Sequence, residues 1–297
     1  AGIHVQMTRA LLAGAATAGL ASLVLLWHLR RRRSRLLFEA PEERVVKRIL
    51  FCRHGQGRHN LKDEHGSTTA ANLQILDPEL TDQGVSEARA IFAHAPPGRS
   101  DFRPECVLVS PLWRTLQTAT EAVAARSDGH TCPMVAWEVA REHNNLNACN
   151  HRRPIQPEHH VAFPTVDFSH VHTTGPPPGC EWTPPYKLSF GVLRRRAARA
   201  LALLDARPEQ RIAVVCHATF MRALLSEVMG LDAHHSAKAP HTGQAIEVLR
   251  IETPSGGRYW ELVSLNGGHE VLRLALRDDD DGPQPQQRDD GAAPLNA

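Results

Sequence analysis

The stretch FCRHGQGRHN, residues 51–60, gathers two arginines, two histidines, two glycines and an asparagine. Guanidinium and imidazole groups at this density suit an anion, phosphate above all. Gly55 and Gly57 are expected to let the backbone turn tightly and bring amide N–H groups close to a ligand. Three other places carry related chemistry. CVLVSPLWRTLQTA (106–119) puts Arg114 in the first turn of a helix, where the positive end of the helix dipole also favours an anion. VAWEVAREHNN (135–145) presents Arg141, Glu142 and His143, and RIAVVCHATFMRALL (211–225) ends an apolar run at His217. Together these residues divide the work of phosphoryl transfer. A neutral His54 imidazole can attack phosphorus and hold the phosphoryl group covalently. Arg53, Arg114 and His217, the last as an imidazolium, can neutralise the equatorial oxygens. Glu142 can protonate the departing oxygen and then deprotonate the incoming water. Arg58, Gly57 and Ala218 are further expected phosphate- or substrate-binding residues. Charge supplied by side chains leaves no need for a metal or cofactor. None of the histidine pairs (159–160, 170/172, 234–235) has clean ligand spacing.

The elements that must position these residues follow from hydrophobic period. Apolar, β-branched runs predict strands at 46–52, 106–110, 133–137, 211–216 and 244–251, with another near 260–264. Helical spacing covers 82–94, 111–126, 190–205 and 217–229. Strands alternating with helices imply crossover units and a mainly parallel sheet in a three-layer α/β/α domain. Arg53 and His54, Arg114, Glu142 and His217 all follow strand ends, where ligands bind in such sheets. The stretch 144–185 is rich in Pro, His and Gly and has little periodicity, so it is expected as an insertion that lids the site.

In this order, RHGQGRHN, DPELTDQG, SPLWRTLQTA, REH and VVCHATFMRALL resemble the histidine phosphatase, or phosphoglycerate mutase-like, superfamily over roughly residues 45–270. The first block is similar to a eukaryotic group that reads RHGQG-x-HN, and FPTVDFS (163–169) also looks like that group. The resemblance implies a phosphohistidine intermediate on His54, a phosphate pocket of Arg53, Arg114 and His217 with Asn60 as a further contact, and Glu142 as the acid. One departure is Asn150 in NACNHRR, where the group's pattern has Asp. The reading reached is a phosphatase acting on a small phosphorylated metabolite or phosphoester. The rivals are a phosphoglycerate-type mutase and a membrane-tethered protein that binds a phosphorylated ligand without catalysis.

Charge bounds the remainder. The net charge of +2 divides into +6 over residues 1–48 and −4 over the rest, so the body is no basic nucleic-acid binder. Residues 10–27 are uncharged and long enough, as a helix of about 27 Å, to span a bilayer core. RRRRSR follows at 30–35, which by charge asymmetry keeps the C-terminal side in the cytosol. Residues 1–44 are therefore expected as a membrane anchor or targeting segment with a basic linker. The alternative is a transit peptide for a mitochondrion or plastid, since no acidic residue precedes Glu39. The catalytic domain is expected over 45–276, and 277–297 reads as an acidic, disordered tail. Six cysteines without a CxxC pair read as reduced thiols.

Overall fold

The computed structural model describes residues 42–92, 102–143, 147–172, 190–231 and 240–263. The chain forms strands β1 (Arg44–Arg53), β2 (Cys106–Val109), β3 (Met134–Ala136), β4 (Val166–Asp167), β5 (Arg211–Cys216), β6 (Ala245–Glu252) and β7 (Arg258–Val263). Its helices are α1 (Ala70–Leu73), α2 (Asp82–Ala90), α3 (Trp113–Ala124), α4 (Pro157–Ala162), α5 (Phe190–Ala206) and α6 (Ala218–Val228). The strands make one sheet in the order β4-β3-β2-β5-β1-β6-β7. From β4 through β1 every pair is parallel, and β6–β7 is antiparallel. The expected α/β architecture with a mainly parallel sheet is what the chain adopts.

Alternation along the strands produces the layers. Ile49 and Phe51 of β1, Leu108 of β2, and Ile212 and Val214 of β5 face one side, where they pack with Leu193 and Leu204 of α5 and Phe220 and Leu224 of α6. Cys52, Val107, Val109, Ala213 and Val215 face the other side and meet Leu116, Ala119 and Ala122 of α3. Both faces are covered, which is why these strands read as continuous apolar runs. Each fully buried large side chain contributes roughly 1.5–3 kcal/mol.

Within the expected insertion, residues 147–172 contribute to this second face. Ile155, Phe163, Val166, Phe168 and Val171 are buried there, and β4 pairs with β3 as the sheet edge. The five cysteines among the described residues are free thiols.

By their contacts, Val45–Glu252 with Gly257–Ala297 form one unit, which holds every candidate site residue. Ala1–Arg44 with Thr253–Gly256 form another, described only at 42–44 and in a turn where the Gly256 N–H donates to the Thr253 carbonyl. Among the described residues no helix is long and apolar enough to cross a membrane. The expected anchor at 10–27 and the acidic tail lie outside them.

Candidate active site

His54 follows β1, Ser110 follows β2, Glu142 lies beyond β3 and His217 follows β5, so all four stand at the carboxyl edge of adjacent parallel strands. The ring centroids of His54 and His217 are 5.2 Å apart, and His59 lies 5.5 Å from His54. All three imidazoles are buried, as is Arg114 at 0 % exposure.

Hydrogen bonding sets the tautomers of His54 and His217. The His54 Nδ1 lies 2.7 Å from the Gly55 carbonyl oxygen. A carbonyl only accepts, so Nδ1 carries the proton and Nε2 keeps its lone pair. His217 Nδ1 lies 3.1 Å from Arg114 Nη2, and its Nε2 lies 2.7 Å from Ser110 Oγ. A guanidinium only donates, so this Nδ1 accepts and the ring is neutral, with Nε2–H donating to Ser110. The expected imidazolium at His217 is therefore corrected: beside Arg114, in a buried site, a second positive charge is disfavoured. Burial first, and then Arg114, push both His54 and His217 well below the ordinary histidine range. The same causes, with Arg53, bring His59 down to about 2.

The guanidinium of Arg114 is held in place from several sides. Its Nη1 donates to the Cys149 carbonyl at 2.7 Å and its Nη2 to Asn150 Oδ1 at 3.3 Å. Asn150 Nδ2 in turn donates to the His143 carbonyl beside Glu142. The departure from Asp to Asn thus leaves a neutral group against Arg114. Arg53 Nη1 donates to the Pro240 carbonyl at 2.8 Å. The Nε atoms of Arg53 and Arg114 and the Nδ1 of His59 are buried around His54 with no hydrogen-bond partner. The two guanidinium N–H groups are donors; buried donors without partners are rare, and an anion would satisfy them.

Glu142 serves the frame as well as the site. Its Oε2 accepts the Thr219 N–H at 3.1 Å, and its Oε1 accepts the Phe220 N–H at 3.2 Å and the His143 N–H at 2.8 Å. The N-cap of α6 is His217, whose own side chain makes no capping bond. The carboxylate therefore caps the helix that follows His217, and it ties the two segments together.

The glycines of the first motif act differently from expectation. The N–H groups of Gly55, Gln56, Gly57 and Arg58 donate to Thr118 Oγ1, Glu87 Oε2, Asn60 Oδ1 and the Glu79 carbonyl. All four are engaged within the protein. Close approach is what demands glycine here: a Cβ on Gly55 would lie 2.2 Å from the Gly84 carbonyl oxygen, and one on Gly57 would lie 2.8 Å from the His59 ring. Among the other expected residues, Asn60 is half-buried, Ala218 opens α6, and the Arg58 side chain is exposed.

Asp77 received no role from the sequence, although it stands in the DPELTDQG block. It is fully buried at φ 45°. Its Oδ1 accepts the Trp113 N–H at 2.8 Å and its Oδ2 the Arg153 N–H at 3.2 Å. Trp113 opens α3, so Asp77 caps the helix that carries Arg114. The signal available was an Asp before a Pro, which marks a turn but not its distant partner. No group of three or more His, Cys, Asp or Glu among the described residues is arranged to hold a metal ion.

Residues 49–266 match the family model of the histidine phosphatase superfamily, branch 1. The chain belongs to that superfamily. Among relatives of this histidine phosphatase family member, a phosphoglycerate mutase-like protein of Arabidopsis thaliana is 27% identical over 204 residues, covering 61% of this chain and 74% of its own. A second Arabidopsis thaliana relative, phosphoglycerate mutase-like protein 1, is 28% identical over 199 residues, covering 59% and 69%. The solved structure of mycobacterial glucosyl-3-phosphoglycerate phosphatase aligns with a TM-score of 0.46 at 16% identity, covering 74% of this chain and 98% of that one.

Proposed function

We propose that this superfamily member is a phosphatase that hydrolyses a small phosphomonoester through a phosphohistidine on His54. The carrying observation is the His54 Nδ1–Gly55 carbonyl bond, which holds an Nε2 lone pair beside two guanidinium groups. In the first step the Nε2–P bond forms and the P–O bond to the alcohol breaks, while Glu142 gives its proton to the departing oxygen. In the second, water attacks phosphorus and passes a proton to Glu142. The Nε2–P bond then breaks and its electron pair returns to the ring. Arg53 and Arg114 carry the positive charge against the equatorial oxygens throughout, with the neutral His217 as a hydrogen-bonding partner of Arg114.

The test is labelling with a ³²P-phosphomonoester, quenched in alkaline detergent. Label that survives alkali, is lost in mild acid and is absent from His54→Ala is the expected result. Label retained by His54→Ala, or none in the parent during turnover, would overturn the assignment. The same first half-reaction would serve a mutase, a reading favoured by the mutase-like names of the relatives. Product analysis separates the two: inorganic phosphate for the phosphatase, a positional isomer for the mutase.

A further inference from the structure

Of the three imidazoles in the pocket, His59 is the one without a part in the steps above. It lies in the 3₁₀ turn Arg58–Asn60 that ends the first motif. Its ring is turned inward and buried, 5.5 Å from the ring of His54, and its Nδ1 has no hydrogen-bond partner. The Nδ1–Cε1 edge of this ring and the Arg114 side chain meet over Gly57. The place a Cβ would take on Gly57 lies 2.8 Å from both of those ring atoms and 3.5 Å from the Arg114 Cδ. That carbon is bonded to the Arg114 Nε, a second buried nitrogen with no partner. An apolar ring would fill the position at lower cost, because burying an imidazole nitrogen without a partner is unfavourable.

The groups around His59 explain both its neutrality and how it could be lost. Arg53 and His54 face it from the end of β1, Arg114 from α3 and His217 from the start of α6. Helix α1, which packs on the same turn, brings only Ala70, Ala71, Asn72 and Leu73. The Glu142 carboxylate acts on the two arginines. Burial, then Arg114 and Arg53, keep the ring neutral down to about 2. A dianion held between the two guanidinium groups cancels the repulsion that keeps this proton away. Once charged, an imidazole donates from both nitrogens, whichever tautomer it held before. His217 has no such freedom, because Arg114 and Ser110 occupy both of its nitrogens.

We infer that His59 is a further phosphoryl-binding residue, whose ring takes a proton from solvent as the anion enters and donates its Nδ1–H to one of the anion's oxygens. The inference rests on the phosphate pocket of the phosphatase reading, and it is tested by binding rather than turnover. The full chain carrying His54→Gln, so that His54 supplies no titrating group, is titrated calorimetrically with sulfate. Sulfate is a tetrahedral dianion with no proton of its own to exchange near neutrality. Two buffers of different ionisation enthalpy, used from about pH 6 to about pH 8, report the protons taken up. Affinity should rise roughly fivefold to tenfold for each pH unit of fall, the linkage of up to about one proton. His59→Gln in this background donates without titrating, and His59→Phe keeps a ring without nitrogens. Both should flatten the slope, with Phe the weaker binder. Absence of sulfate binding, binding without proton uptake, or the same slope with and without His59 would overturn the inference. If neither variant folds, the ¹⁵N resonances of His59 itself decide: imidazolium values at sulfate saturation are expected, and neutral values would overturn it. Label on His54 does not require His59 to titrate, so the phosphatase reading survives such a failure. Absent label with a slope that depends on His59 would instead remove the phosphatase reading and leave the anion site standing.

Discussion

At the scale of single residues, the chemistry turns on which atoms hold protons. His54 and His217 sit 5.2 Å apart, both neutral, yet in opposite tautomers. A carbonyl oxygen sets the first and a guanidinium the second. The residue types were legible from the sequence; the tautomers were not, because each depends on a partner brought in by folding. Glu142, the proposed proton carrier, also caps α6, and the two roles can be separated. Glu142→Gln keeps an oxygen for the Phe220 and His143 N–H groups but turns an NH₂ towards the Thr219 N–H, so stability should fall by about 1–2 kcal/mol. Proton transfer is lost altogether. Single-turnover phosphorylation by an alkyl phosphate should slow by ~10²–10⁴-fold, the range of general acid catalysis. An aryl phosphate, whose leaving group needs no proton, should be far less affected. Equal losses on both substrates would assign Glu142 to framework alone.

At the scale of elements, the motif blocks read as two kinds of sequence. RHGQGRHN, SPLWR, REH and VVCH carry chemical groups, whereas LTDQG positions them. Gly84 in α2 packs directly on the loop after β1: a Cβ there would lie 2.1 Å from the Gln56 carbonyl oxygen and 2.8 Å from its amide nitrogen. Both obstacles are backbone, so neither can swing aside. Gly84→Ala should cost roughly 1–3 kcal/mol, as overpacking does, and should lower turnover by moving the loop that holds His54. Urea denaturation and steady-state kinetics on the same sample check both halves. Parental stability with parental turnover would contradict the contact. The main strands and helices were readable because apolar runs and helical spacing are local signals. The expected helix at 82–94 is described as Asp82–Ala90, and β4 was not anticipated. A two-residue strand in a stretch rich in Pro, His and Gly has no period to detect. The caps supplied by Asp77 and Glu142 escaped for a related reason, since each joins segments separated by more than 30 residues.

At the scale of the whole molecule, the site makes folding sensitive to acid. His54, His59 and His217 are buried and neutral, and all three are depressed by burial and by neighbouring guanidinium groups. In the unfolded chain each would titrate near 6.5. Below that pH the unfolded state takes up protons that the folded site refuses, so stability is fully present above ~6.5 and is lost as pH falls. Each histidine contributes up to ~1.4 kcal/mol per pH unit, and the three together roughly 4 kcal/mol per unit. A domain stable by ~5–15 kcal/mol cannot withstand that slope for long. Asp128 and Asp167 have depressed values too, but they act below the ordinary carboxylate range and leave the interval from 6.5 to 5 to the histidines. Urea denaturation from pH 8 to pH 5 should therefore show a plateau above about 6.5 and a steep decline beneath it. His54→Gln should remove about a quarter to a third of the slope, because an amide does not titrate and the buried His159 is depressed as well. A flat profile across this range would mean that the three rings are protonated alike in the folded and unfolded chain, and that the pocket does not exclude their charge.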